Sequence, residues 1–190
     1  MGHLRPVKDP FRTALAARHL RSSSRIRITH LGAALSDGMA RRAQAEMARN
    51  PRYRWLGDLP RGEALRILAR SRLLALTSRL EGGANVVSEA LAAGVPVVSS
   101  RIAGSIGILG SDYPGYFPVG KTHALTALLS RLENDPEFYR SLKERCRRLA
   151  RLTTPARERR TWKQLLQETA RLPEPNHTGR LAGDLSRGSC

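Results

Sequence analysis

Leu73-Leu74-Ala75-Leu76-Thr77, followed by Ser78-Arg79-Leu80-Glu81-Gly82-Gly83-Ala84-Asn85-Val86-Val87-Ser88-Glu89, decides the fold. The first five residues are an apolar run of strand length, the glycine pair is a turn, and 86–93 reads as a helix closed by Gly94. A strand, a tight turn and a helix start make an anion site. The first helical turn has backbone N–H groups without intrahelical partners and carries the positive end of the dipole. Asn85 is placed to cap that turn. Gly82 and Gly83 let a ligand approach the backbone closely, with Val86 next in the first turn. Glu81 and Glu89 flank this site. An ionised carboxylate only accepts hydrogen bonds, which suits the vicinal hydroxyls of a sugar or ribose. Residue types alone leave a second reading open, in which an acidic first turn simply favours its own helix dipole.

Working outward, Ile26-Arg27-Ile28-Thr29-His30-Leu31 alternates apolar and polar residues ahead of Gly32, which predicts a strand. Asp37 is placed to cap a helix over 38–49 that stops before Pro51. A strand over 53–57, a helix over 63–70 and a strand over 95–99 follow. Such alternation predicts one α/β domain over 1–171, with a parallel sheet, helices on both faces, and ligands beyond the carboxyl ends of the strands. Helices are expected over 122–132, 137–150 and 157–171. Residues 172–190, rich in Pro, Gly and Ser without apolar periodicity, are expected to be a disordered tail.

The chain has 190 residues, enough for one ordinary domain and its core. No apolar run approaches the ~20 residues of a membrane span. Met1-Gly2-His3-Leu4-Arg5-Pro6 lacks the apolar stretch of a secretory signal, and Cys146 and Cys190 have the spacing of neither a disulfide framework nor a metal site. The expectation is a cytoplasmic protein without metal or cofactor. A net charge of +17 raises nucleic acid as a partner. The 33 basic residues are, however, scattered over several expected helices, and aromatic residues make up only 5% of the chain. Without basic and aromatic residues interleaved, this composition suits a solvated arginine-rich surface with a positive cleft for small anions.

Taken together, Trp55-Leu56-Gly57, then 73–77, then Ser78-Arg79-Leu80-Glu81-Gly82, then Glu89-Ala90-Leu91-Ala92-Ala93-Gly94-Val95-Pro96-Val97-Val98-Ser99 resemble the C-terminal domain of glycosyltransferase family 4, over about residues 2–170. The resemblance implies half of a GT-B fold, in which two Rossmann-like domains face each other and the C-terminal one holds the nucleotide-sugar donor. It implies that Glu81 touches the donor sugar, that Glu89 holds the ribose hydroxyls, and that Gly82, Gly83, Asn85 and Val86 approach the diphosphate. Gly2-His3-Leu4-Arg5-Pro6-Val7-Lys8-Asp9-Pro10 is similar to the family's opening loop. There Lys8 falls on the lysine that neutralises the donor phosphates, His3 stands where an arginine is usual, and Arg5 could supply that charge. Gly104 falls on the glycine of a further donor-side loop, although Gly104, Gly107 and Gly110 by themselves read as turns.

Within the family, the wording of 31–35, 101–110 and 112–120 resembles the selenosugar synthases of selenoneine biosynthesis. That implies transfer from a UDP-sugar to a small anionic acceptor, selenophosphate. Lys121 departs from the acidic residue often found at its place, leaving Thr122 to cap the next helix. The family's opening loop follows a strand of its domain, whereas Gly2 here follows Met1 directly. The expectation is a donor-binding half without the N-terminal, acceptor-side domain, associating with a separate chain or with itself, and binding donor without full turnover. Two other classes stand against it, a non-catalytic partner domain and a basic nucleic-acid-binding protein.

Overall fold

The computed structural model describes residues 1–152. A short 3-10 turn, Pro6–Lys8, leads into α1 (Arg12–Arg18) and β1 (Ile28–His30). Then follow α2 (Asp37–Arg49), β2 (Tyr53–Trp55), α3 (Arg61–Arg70), β3 (Leu74–Leu76), α4 (Asn85–Ala92) and β4 (Val97–Ser100). The described chain closes with α5 (Ala103–Leu109), β5 (Tyr116–Phe117), α6 (Thr122–Asn134) and α7 (Pro136–Leu152). The architecture is the expected Rossmann-like α/β one, with every ladder parallel. The expected helix over 157–171 and the tail lie outside the described residues.

The strands divide into two ladders, β1 with β2 and β3-β4-β5. Each has its own core. Val97 and Val98 of β4 are fully buried, as a strand covered on both faces must be, and pack with Leu91 of α4, Leu125 and Leu129 of α6 and Leu142 of α7. Beneath β1 and β2, Leu4, Phe11, Ala14, Ala43 and Tyr53 form a smaller cluster. Among the described residues no helix is long and apolar enough to cross a membrane.

Several local expectations are corrected. Ser36, not Asp37, caps α2, its Oγ accepting from the Met39 N–H while Asp37 sits in the first turn. Asn85 is the first residue of α4 and makes no side-chain cap. Thr122 likewise opens α6 instead of capping it, Lys121 being the N-cap, and its hydroxyl accepts a 2.6 Å hydrogen bond from the Arg12 guanidinium. Gly104 and Gly107 lie within α5, where turns were expected, and only Gly110 ends it with a positive φ of 88°. Helix α1 and strand β5 were not anticipated.

Candidate functional site

The segment Gly2–Asp9 stitches the carboxyl ends of β1 and β3 together. On one side the Gly2 N–H donates to Leu31 O and the Leu4 N–H to Ala33 O, both at 2.8 Å, and Leu4 pairs in parallel with Ala34. On the other side the Thr77 hydroxyl donates to the carbonyls of Lys8 and Asp9, and the Arg79 N–H to Val7 O. Asp9 adopts a left-handed φ of 45° and accepts a hydrogen bond from Arg12 through its carboxylate.

Lys8 Nζ donates to Glu81 Oε1 at 2.5 Å, and the Ser78 hydroxyl donates to the same oxygen at 2.6 Å. Glu81 is fixed from below as well. A Cβ on Gly104 would stand 2.3 Å from the Glu81 carbonyl oxygen, so α5 can pack under the loop only with glycine there. Gly104 thus shapes the site through Glu81. Gly82 and Gly83 are exposed, and a Cβ on either would meet nothing within 4 Å, so no protein contact demands glycine at this turn. Glu89 sits in the second turn of α4, and no acidic residue lies in its first turn. That removes the reading in which acids merely favour their own helix start. Val86 is half-buried at that first turn.

Arg61, at the start of α3, was not anticipated. Its guanidinium lies 2.8 Å from Glu89 Oε1 while remaining largely exposed. His3 is exposed, its Nδ1 accepting from the Ala33 N–H, so it secures the loop after β1. Arg5 is exposed, and its side chain forms no ion pair among the described residues. A second unanticipated residue is His30. Its Nε2–H donates to Gly2 O and its Nδ1 accepts from the Tyr53 hydroxyl, which fixes a neutral tautomer beneath the opening loop. Burial first, then the positive charge of the amino terminus, pushes its pKa down to about 4. Gly32 opposes the same loop, with φ at 135° and Gly2 O where a Cβ would be. Among the described residues no three His, Cys, Asp or Glu side chains gather as a metal site.

Lys8, Glu81, Gly83, Asn85, Val86 and Glu89 line a cavity of about 1090 Å³ together with His3 and Arg61, whereas Arg5, Gly82 and Gly104 are not among its lining residues. Residues 1–149 match the family model for glycosyl transferases group 1. The chain belongs to that family. Among solved structures, this glycosyl transferases group 1 chain is similar in fold to Anabaena HepE in complex with UDP, at 21% identity and a TM-score of 0.74. It is also similar to HepE with UDP and glucose, at 20% and 0.74, and to sucrose-phosphate synthase from Thermosynechococcus elongatus, at 20% and 0.69. In each case 89% of this chain is covered, against 47%, 47% and 45% of the other. It spans about half the length of those structures. Comparison with curated proteins gives no match.

Proposed function

We propose that this chain is the donor-binding half of a glycosyltransferase, holding a UDP-sugar at the carboxyl ends of β1 and β3. The observation that carries the reading is the Lys8–Glu81 pair beside the exposed glycine turn and the start of α4. A part-exposed cation and an acceptor held by Ser78 stand beside a helix N-terminus. In this reading the donor diphosphate lies over Gly82, Gly83 and the first turn of α4, and Lys8 turns from Glu81 to the phosphate oxygens. As the glycosidic bond to the diphosphate breaks, negative charge grows on the leaving oxygen. Lys8 and the N–H groups of α4 stabilise it there. Glu81, held by Ser78 and propped by Gly104, orients the sugar hydroxyls. Glu89 takes the ribose hydroxyls once Arg61 yields. His3 and Arg5, both exposed on the opening loop, add positive charge on the phosphate side. Support also comes from the family match and from the UDP-bound state of HepE.

The narrower reading assigns selenophosphate as acceptor and a selenosugar as product. It rests on the wording of 31–35, 101–110 and 112–120, of which the last two contain α5 and β5. Acceptor contacts are proposed to come from a second domain, on the same or another chain.

Calorimetric titration with UDP and UDP-glucose tests the donor site. Saturable binding that weakens at least tenfold in Glu89→Ala is expected. Absence of binding by the unmodified chain would overturn the proposal.

A further inference from the structure

Four histidines lie among the described residues, and two of them belong to the opening loop and its support. His3 accepts from the Ala33 N–H, and His30 is bonded at both ring nitrogens. The other two, His19 and His123, meet each other instead. Their ring centroids are 5.0 Å apart, with the ring planes at 49°. Both residues are exposed, and neither ring forms a hydrogen bond or ion pair among the described residues. Neither lines the cavity of the donor site.

The fold holds the two backbones in place. His19 is the C-cap of α1, its N–H donating to the carbonyls of Ala16 and Ala17, and His123 is the second residue of α6. The helices are tied twice more, by the Arg12 guanidinium on the Thr122 hydroxyl at 2.6 Å and by the Thr126 hydroxyl on Ala16 O at 3.1 Å. Closing both imidazoles on one ion therefore costs little beyond side-chain rotation.

The spacing names the ligand class. Two imidazoles that share one tetrahedral zinc, with Zn–N of about 2.0 Å, have ring centroids about 5 Å apart. A plain ring contact can have the same spacing, but it predicts no affinity for a metal. Imidazole suits zinc, copper and nickel, whereas magnesium and calcium take oxygen ligands. The neighbouring charges do not forbid a dication, because Arg12 is paired with Asp9 and Arg18 with Glu46, and Lys121 is exposed. The carboxyl end of α1 favours a cation and the amino end of α6 opposes one, so the dipoles decide nothing. No third protein ligand stands with the pair among the described residues, so the remaining positions fall to water. That is an open, exchangeable site, not a closed structural one.

We infer that His19 and His123 form a two-histidine site for a divalent transition ion such as zinc, separate from the donor site. The bound ion is a third tie between α1 and α6, at the end of α1 away from the Arg12–Thr122 contact.

Calorimetric titration of the full chain with zinc chloride at pH 7.5, with magnesium chloride as the oxygen-seeking control, tests the site. Zinc is expected to bind saturably with one ion per chain and to raise the melting temperature, while magnesium does neither. His19→Gln and His123→Gln should each weaken zinc binding at least tenfold, and since both residues are exposed the metal-free melting temperature should not move. Cys190→Ser removes the thiol outside the described residues and should bind zinc as the unmodified chain does. In a histidine-ring proton–nitrogen NMR spectrum, the His19 and His123 rings should shift together on adding zinc, while those of His3 and His30 stay in place. No zinc binding, unchanged affinity in either glutamine variant, loss of binding in Cys190→Ser, or a shift of only one ring of the pair would each overturn the inference. UDP titration is made without metal, so failure of this site and failure of the donor site are told apart.

Discussion

Lys8 Nζ and Glu81 Oε1 lie 2.5 Å apart although 73 residues separate them in the chain. Two independent loops are therefore folded toward one point, and the pair is only partly hidden, with about a third of the Lys8 side chain exposed. Such a pair contributes about 1 kcal/mol or less to stability. In the proposed function, Lys8 exchanges this carboxylate for a donor phosphate. Lys8→Met is expected to weaken UDP binding at least tenfold by calorimetry, while urea denaturation shows a change of about 1 kcal/mol. A large loss of stability with unchanged affinity would mark the pair as a structural tie only.

Arg61 competes for Glu89. Its guanidinium holds the carboxylate at 2.8 Å from a largely exposed position, so the contact is weak in water and screened by salt. In the proposed binding mode a ribose displaces it before its hydroxyls reach Glu89. Arg61→Ala is expected to tighten UDP binding about threefold at low ionic strength, and the gain should shrink as salt rises. Weaker binding in that variant would assign Arg61 to the ligand instead.

Gly104 and Gly107 give a matched pair of tests within one helix. Alanine at 104 would drive its Cβ into the Glu81 carbonyl, whereas alanine at 107 meets nothing within 4 Å. Gly104→Ala is expected to cost about 2 kcal/mol by overpacking and to reduce UDP affinity through Glu81. Gly107→Ala should be neutral, or stabilising by up to about 1 kcal/mol from helix propensity. Equal behaviour of the two variants in thermal melts would refute the role given to Gly104.

How much of this was legible in the sequence depends on whether the signal was local. Strands β3 and β4 announced themselves because strands covered on both faces carry apolar runs, Leu73-Leu74-Ala75-Leu76 in one and Val97-Val98 in the other. Glu81 and Glu89 were legible beside a glycine turn, and Lys8 entered through resemblance. Helix α1 has seven residues and is held from outside, with Ala16 O accepting from the Thr126 hydroxyl and Arg12 bound to Thr122. Strand β5 has two residues, too few for periodicity. Capping was misread where two polar residues compete, as Ser36 and Asp37 do. Arg61 on Glu89 and His30 under Gly2 are tertiary contacts over 28 residues each, and no spacing rule announces them. The division of the strands into two ladders is likewise a matter of which edges meet.

His30 makes the opening loop sensitive to acid. Its folded pKa is about 4, whereas an unperturbed histidine titrates near 6.5. Between these values the unfolded chain binds more protons than the folded one, so stability rises with pH across that window. It is lost as pH falls from about 6.5 toward 4, by at most about 3 kcal/mol at 1.36 kcal/mol per pKa unit. Glu46 belongs to a lower window: burial opposes its charge, but Asn50, Arg18 and Arg49 together hold its pKa below the ordinary carboxylate value. Burial also lowers the pKa of the amino terminus, which titrates within the same range, so the histidine is read from the difference between the unmodified chain and His30→Gln in urea denaturation at pH 7.5, 6.0 and 5.0. The unmodified chain should lose stability steadily across that series, and His30→Gln, which keeps a donor for Gly2 O without a titrating ring, should lose far less. The same slope in both proteins would show that His30 is not held neutral beneath the loop.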